Sequence, residues 1–316
     1  MSFKNKIVLI TGGAGFIGSH LADKVLEQGA EKVAILDNFS SGSMKNIEHL
    51  KSNEKVSIVK GDIRDFELVD SMVKVSDYVF NEAASKLVFS INNPRQDLET
   101  NIIGTFNIVQ SALKSGARVV HASTGSVFGS SDAPMKEDHA KNPTTPYGIS
   151  KLAGEKYVMY YAREFGLKAS VIRYFHVFGP RQDYSGEAGV INIFLARVLQ
   201  GMPPIIYSGG SQIRCFTYIS DDIDATLLIA KSKGAIGQDY NVASKTRMSI
   251  SELAEIIIKK YSKKGVSSIH GGARKGENLR PIPDTSKIEN LGFKEKVTFE
   301  EGLEKTKNWV EEDLGK

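Results

Sequence analysis

Tyr147 and Lys151 stand four residues apart in Tyr147-Gly148-Ile149-Ser150-Lys151. On a helix that spacing puts both side chains on one face, one turn apart. A free tyrosine titrates near pH ~10 and is a poor base at neutral pH, but a neighbouring ammonium favours its phenolate. Tyr-x-x-x-Lys alone is a frequent accident, and a solvated pair is its ordinary reading. A second group of hydroxyls, Ser123-Thr124-Gly125-Ser126, follows the run Arg118-Val119-Val120-His121. At the carboxyl end of a strand in an open α/β sheet, Thr124 would lie where ligands bind. The plainer alternative is a Ser/Thr turn.

A third signal comes first in the chain. Thr11-Gly12-Gly13-Ala14-Gly15-Phe16-Ile17-Gly18 directly follows the apolar run Ile7-Val8-Leu9-Ile10. It contains both Gly13-x-Gly15-x-x-Gly18 and the three-spaced set Gly12, Gly15, Gly18. Missing Cβ atoms let backbone approach a pyrophosphate, and a following helix offers free N–H groups and a positive dipole end. Asp37 closes the second apolar run, 19 residues after Gly18. Its carboxylate would accept from ribose hydroxyls and repel a 2′-phosphate, which predicts NAD rather than NADP. The three signals together, in this order, are far less ordinary than any one.

The elements that must position them follow from the apolar pattern. Short β-branched runs occur at 7–10, 33–36, 56–59, 77–80, 118–121 and 170–173, separated by stretches of helical period. Near-continuous apolar runs imply parallel strands covered on both faces, and right-handed crossovers then give a Rossmann-like doubly wound sheet. Helices are expected near 94–115 and 146–165, the second with Pro146 in its first turn and Thr144 or Thr145 as cap. After Arg173 the rhythm changes, with Gly179-Pro180, Gly201-Met202-Pro203-Pro204 and Ser208-Gly209-Gly210 as breakers. Helices near 188–200, 221–231, 250–262 and 299–313 are joined by short strands. The expected division is a dinucleotide-binding domain over 1–175, with segments near 214–232 returning to it, and a smaller α/β substrate lobe over 176–316.

Composition narrows the class further. The chain has 316 residues, 41% hydrophobic and 25% charged, with 41 basic against 37 acidic side chains. This diffuse excess does not suit nucleic acid, and the lysine pairs at 259–260 and 263–264 read as a solvated helix face. Cys215 is the only cysteine, which excludes an intrachain disulfide and suits a reducing compartment; its apolar setting reads as packing. No run reaches the length of a membrane span, so a cytoplasmic protein is expected. The histidines lack metal-ligand spacing such as H-E-x-x-H, and no P-loop occurs, so no metal is expected.

The chain resembles the extended short-chain dehydrogenase/reductases, specifically the nucleotide-sugar 4-epimerases and their dehydratase and decarboxylase relatives. The likeness runs through TGGAGFIGSH, LDNFSSG, GDIRD, NIIGTFNI, STGSVFG, PYGISK, RYFHVFGPRQD and SQIRCFTYISD. It implies that Tyr147 is the base, that Lys151 holds the nicotinamide ribose and lowers the Tyr147 pKa, and that Thr124 binds the reacting hydroxyl. Gly12, Gly15, Phe16, Ile17, Gly18, Asp37, Asn38, Ser40 and Gly42 would hold the adenosine and pyrophosphate, with Asp62 and Ile63 flanking the adenine. Ala83, Ala84, Lys86, Asn101, Ser123 and Tyr174 would lie along the rest of the cofactor. The substrate would be met by Lys86, Thr124, Ser126, Tyr147, His176, Val190 and Tyr207, with Arg214 and Arg274 clasping its diphosphate. A homodimer through the helices near 94–115 and 146–165 is implied as well.

Dehydratase and decarboxylase relatives usually carry acidic residues just after the catalytic Ser/Thr. Gly125 and Ser126 stand there in this chain, and elimination needs a proton donor and a base that they do not supply. That favours 4-epimerisation through a transient 4-keto sugar over a 4,6-dehydratase or uronate decarboxylase. A non-catalytic NAD-binding regulator is disfavoured by the intact Tyr/Lys pair. Four departures bear on substrate: His176 where Asn is common, Cys215 where Asp is common, Asn81-Glu82 for the usual His-aliphatic pair, and Pro281 at the pocket gate in place of a bulky aromatic. Glu82 is a candidate partner for Lys86. Pro281 leaves room for an N-acetyl group, so UDP-N-acetylhexosamine stands beside UDP-glucose/galactose.

Overall fold

Along β1 (Ile7–Thr11), Val8 and Ile10 enter one apolar layer while Leu9 enters the other, and all three are fully buried. The same split recurs at Val79/Phe80, Val119/Val120 and Val171/Ile172. Side chains alternate along a strand, so an unbroken apolar run is what a sheet covered on both faces requires. The computed structural model describes residues 2–131, 133–185, 189–263, 265–273 and 282–315. Arg274 and Pro281 lie outside the described residues.

The main sheet adds β2 (Lys32–Asp37), β3 (Val56–Lys60), β4 (Tyr78–Asn81), β5 (Arg118–Thr124) and β6 (Ala169–Tyr174), with β10 (Asp239–Val242) at its edge. Its order is β3-β2-β1-β4-β5-β6-β10, and every pairing is parallel. The order reverses between β1 and β4, which opens a crevice at their carboxyl ends. Helices α1 (Phe16–Glu27) and α8 (Ile219–Lys231) cover one face through Leu21, Val25, Ile223 and Leu227. The other face is covered by α2 (Phe66–Val73), α5 (Thr105–Ser115) and α6 (Pro146–Glu164) through Val69, Ile108 and Val158.

The expected single helix near 94–115 is not continuous. After α3 (Leu87–Asn92), α4 (Pro94–Leu98) runs into a π-helical turn, Glu99–Gly104, before α5 begins. That wider turn lets Asn101 reach inward, and Gly104 lets Ile63 lie where a Cβ would come within 2.4 Å of it. The cap of α6 is Thr145, whose hydroxyl accepts from Gly148 N at 3.1 Å, with Pro146 in the first turn.

The smaller lobe carries a three-stranded sheet of β7 (His176–Phe178), β9 (Ile213–Tyr218) and β11 (Arg247–Ser249), and a β8 (Ile205–Ile206)–β12 (Ile269–His270) pair. Helices α7 (Val190–Leu199), α9 (Ile250–Tyr261) and α11 (Phe299–Asp313) pack around them, while α10 (Ser286–Asn290) packs against β10 of the main sheet. The return to the first sheet reaches further than 214–232: α8 packs on α1, and β10 pairs with β6 through Asp239–Val242. A single apolar core runs from Val8 and Ile172 to Leu253 and Leu303, so no gap separates the lobes.

A buried ionic cluster locks α6 against the sheet. Arg173 on β6 is fully buried; its Nε donates to Glu155 of α6 at 2.9 Å, and its guanidinium also pairs with Asp239 of β10. Ser123 Oγ donates to the same Glu155 at 3.0 Å. The helix that carries Tyr147 and Lys151 is thus held to β5, β6 and β10 at once.

Candidate active site

The crevice at the strand reversal is a cleft of about 390 Å³. Gly12, Gly15, Phe16, Ile17, Gly18, Asp37, Asn38, Ser40, Asp62, Ile63, Ala83, Ala84 and Lys86 all line it. Gly12 has φ +66°, and a Cβ there would lie 2.7 Å from Ala83 N. A Cβ on Gly18 would lie 2.3 Å from Gly12 O. Only glycine lets this turn fold against the start of α1, whose cap residue Gly15 leaves the first helical N–H groups without a side-chain partner. The cradle fits a pyrophosphate.

Asp37 sits at the far end of that cradle. Its carboxylate accepts from Ala14 N at 2.9 Å and Phe39 N at 2.8 Å, with Gly42 packed against it so closely that a Cβ would clash. Burial pushes the Asp37 carboxyl up, and those two N–H groups pull the other way. Oxygen lone pairs remain to accept from a ribose. Asp62 accepts from Asn38 at 2.8 Å and Arg64 at 2.9 Å; burial alone would raise its carboxyl, but these bonds hold it below the usual range.

The groups expected to react sit on β5 and α6, which pack together beside this cleft. Thr124 Oγ1 accepts from Ser126 N at 3.2 Å and donates to Ser126 Oγ at 3.3 Å, close enough to Tyr147 to favour its phenolate. Lys151 is buried, and its Nζ has no hydrogen-bond partner among the described residues. Leaving an ammonium so is costly, and a sugar hydroxyl of a bound cofactor would relieve it. Burial pulls Lys151 down to about 8 against the pull of Glu82, Asp97 and Glu155. Burial pushes Tyr147 up to about 12, and the nearby Thr124 hydroxyl offsets only part of that. Desolvation of the phenol thus outweighs the favourable contribution of Thr124. Ionising Tyr147 requires the charge and contacts of bound ligands.

Several expected residues act from behind the wall. Asn101 spends its side chain within the protein: it donates to Asp97 and Ser150, each at 2.9 Å, and accepts from Ser85 N at 3.0 Å. The Ser123 hydroxyl turns to Glu155. Tyr174 is buried with its hydroxyl on Thr226 at 2.7 Å. On the substrate side, His176 and Arg214 lie on the adjacent strands β7 and β9, and His176 Nδ1 is buried with no hydrogen-bond partner among the described residues. Burial, then Arg214, holds that imidazole well below its ordinary pKa, so it is neutral. Val190 opens α7, and Tyr207 follows β8 with its ring where a Cβ on Gly271 would come within 2.6 Å. Cys215 is fully buried on β9, and burial pushes its thiol up, as packing requires.

Lys86 does not pair with Glu82. Its ammonium reaches Asp183 at 3.4 Å, while Glu82 points to Tyr174 and feels Lys151. Glu82 is a site residue that spacing did not reveal, although its departure from the family pattern marked it. Phe175 is another: its ring lies where a Cβ on Gly125 would be, 2.5 Å away, so position 125 has no room for a carboxylate.

A doubly wound sheet with a glycine cradle, a terminal aspartate and a Tyr/Lys/Thr end defines the extended short-chain dehydrogenase/reductases, and the chain belongs to that family. Residues 9–306 match the family described as GDP-mannose 4,6 dehydratase. The chain is 36% identical to a UDP-N-acetyl-alpha-D-glucosaminuronate decarboxylase of Bacillus cytotoxicus, over 97% of this chain and 98% of that protein. It is 35% identical to a UDP-glucose 4-epimerase of Mycolicibacterium smegmatis, over 94% and 96% respectively. The solved UDP-glucose 4-epimerase of Thermotoga maritima, with UDP-glucose, superposes with TM-score 0.90 at 34% identity, covering 98% of this chain and 99% of that one.

Proposed function

We propose that the chain is an NAD-dependent 4-epimerase of UDP-hexoses, with UDP-glucose/galactose and UDP-N-acetylhexosamines as its substrate class. The observation that carries this is the placement of Thr124 at the carboxyl end of β5 against α6, which carries Tyr147 and a Lys151 Nζ without a hydrogen-bond partner among the described residues, beside a dinucleotide cradle. NAD bound there supplies the reversible hydride acceptor that oxidation and re-reduction at C4 require. Thr124 orients the sugar 4-hydroxyl, Tyr147 takes its proton and later returns it, and Lys151 anchors the cofactor ribose beside them. His176 and Arg214 hold the diphosphate while the 4-keto sugar turns between its two faces.

Identity alone does not separate epimerase from decarboxylase, since the two relatives match almost equally. The residues after Thr124 do: Gly125 is filled by Phe175, and Ser126 bonds back to Thr124, so neither supplies the acid or base of a second step. Purified protein incubated with UDP-, GDP- and dTDP-sugars should yield the C4 epimer of a UDP-hexose by NMR. A permanently deoxygenated or decarboxylated product would overturn the reading.

A homodimer is part of the proposal. Leu98, Ile103, Tyr157 and Tyr160 are large apolar side chains left 43–54% exposed on α4, the π turn and α6, the helices that would form a four-helix contact. The lone buried thiol suits a cytoplasmic setting, and among the described residues no helix is long and apolar enough to cross a membrane.

A further inference from the structure

Glu82 follows the last residue of β4, at the strand reversal, and lines the cofactor cleft. Parity along β4 sends Asn81 into the core, where it bonds Thr11 at 2.8 Å and His121 at 3.0 Å, and sends Glu82 to the opposite face. There it meets charged and titratable groups from three elements. Lys151 and Tyr147 face it from α6, Tyr174 from β6, and Asp222 from α8. Lys86, the nearest cation in sequence, is turned away to Asp183.

One hydroxyl proton is available to two acceptors beside this carboxyl. Glu82 Oε1 lies 3.4 Å from the Tyr174 hydroxyl, which lies 2.7 Å from Thr226 Oγ1, which lies 2.7 Å from the Asp222 carbonyl. Three contacts share two hydroxyl protons. Thr226 donates to the Asp222 carbonyl, so the single Tyr174 proton is divided between Thr226 and Glu82, and the longer contact leaves the Glu82 carboxylate weakly served. Behind them Asp222 is fully buried with both carboxylate oxygens unpartnered among the described residues, and burial pushes it well up. Burial likewise raises Glu82 to about 7, with Lys151 as the main opposing charge. Glu82 is therefore poised to change charge with whatever cation stands beside it.

As proposed above, Lys151 anchors the nicotinamide ribose, which would set the cationic nicotinamide ring near Glu82, and that ring loses its charge on reduction. Resting on the cofactor reading above, we infer that Glu82 is a positioning residue that favours the oxidised over the reduced dinucleotide in the cleft and links that preference to its own ionisation. Such a bias disfavours stranding the enzyme with reduced cofactor if a keto sugar escapes.

The test compares binding of NAD⁺ and NADH to cofactor-stripped protein, by calorimetry, in the wild type, Glu82→Gln and the aliphatic Glu82→Met. In the wild type the ratio of the NADH to the NAD⁺ dissociation constant should rise about tenfold between pH ~5.5 and pH ~8.5. Lys151 titrates near the upper end, so the deciding arm is the difference between proteins. Both variants should sit about tenfold lower in that ratio at the upper pH and match the wild type at the lower. A ratio unchanged by either substitution would overturn the inference while leaving the cofactor reading intact. Failure of both dinucleotides to bind the wild type would overturn both.

Discussion

Lys151 and Glu82 face one another across the buried end of the cleft, and each is the strongest charge the other feels. Their attraction does not complete the hydrogen bonding of the ammonium, which has no hydrogen-bond partner among the described residues. Replacing Lys151 with Met should therefore stabilise the cofactor-free protein while abolishing turnover. The sign follows from the lowered pKa: between about 8 and 10.5 the folded state binds fewer protons than the unfolded one, so stability rises with pH across that window. Below it the protein bears the whole cost of the buried charge, about 3 kcal/mol by that difference. Thermal denaturation of both proteins across pH checks this; Lys151→Met should start higher and lack the rise.

Tyr147→Phe should lower kcat by about 10²- to 10⁴-fold, the usual range for a lost general base, with nucleotide-sugar and cofactor binding retained. The tyrosinate difference spectrum of wild type minus Tyr147→Phe adds a sharper check. Without ligands Tyr147 should ionise only near pH 12, and it should ionise earlier with NAD⁺ bound. Near-normal turnover in the variant would remove Tyr147 from the chemistry.

Arg173→Met leaves Glu155 buried without its cation and should cost about 3–5 kcal/mol in denaturant unfolding. The double variant with Glu155→Leu should recover much of that, because no uncompensated charge then remains. Asp239, the third member, would be raised by burial, but Arg173 holds it below the ordinary carboxylate range. Its contribution is thus present above about pH 4 and lost as the pH falls through its lower folded value. Acid unfolding of Arg173→Met should accordingly start at higher pH than that of the wild type.

Leu98→Asp and Tyr160→Asp place charges on the exposed apolar helices. Sedimentation velocity should show a wild-type dimer and a predominantly monomeric variant, with little change in monomer stability because both positions are about half exposed. A dimer that survives both substitutions would place the interface elsewhere.

The main sheet was legible because each strand buries both faces, which writes itself as four or five apolar residues in a row. The cradle was legible because glycine is required where α1 meets the turn. The π turn was not: Glu99–Gly104 has the same periodicity as a helix, and only the inward reach of Asn101 shows what it accommodates. Strands β7, β8, β11 and β12 are two or three residues long and pair with distant segments, so no local pattern marks them. The Lys86–Asp183 contact and the rise of Tyr147 depend on three-dimensional burial, which spacing does not carry.

The return of β10 to the edge of the main sheet has a consequence for how the molecule comes apart. Severed after residue 175, the chain would leave β6 with a row of unsatisfied backbone groups and Arg173 without Asp239. The two lobes are therefore not separable modules in the manner of beads on a string. They should unfold together, with the opening that admits a sugar confined to loops rather than to a detachable half.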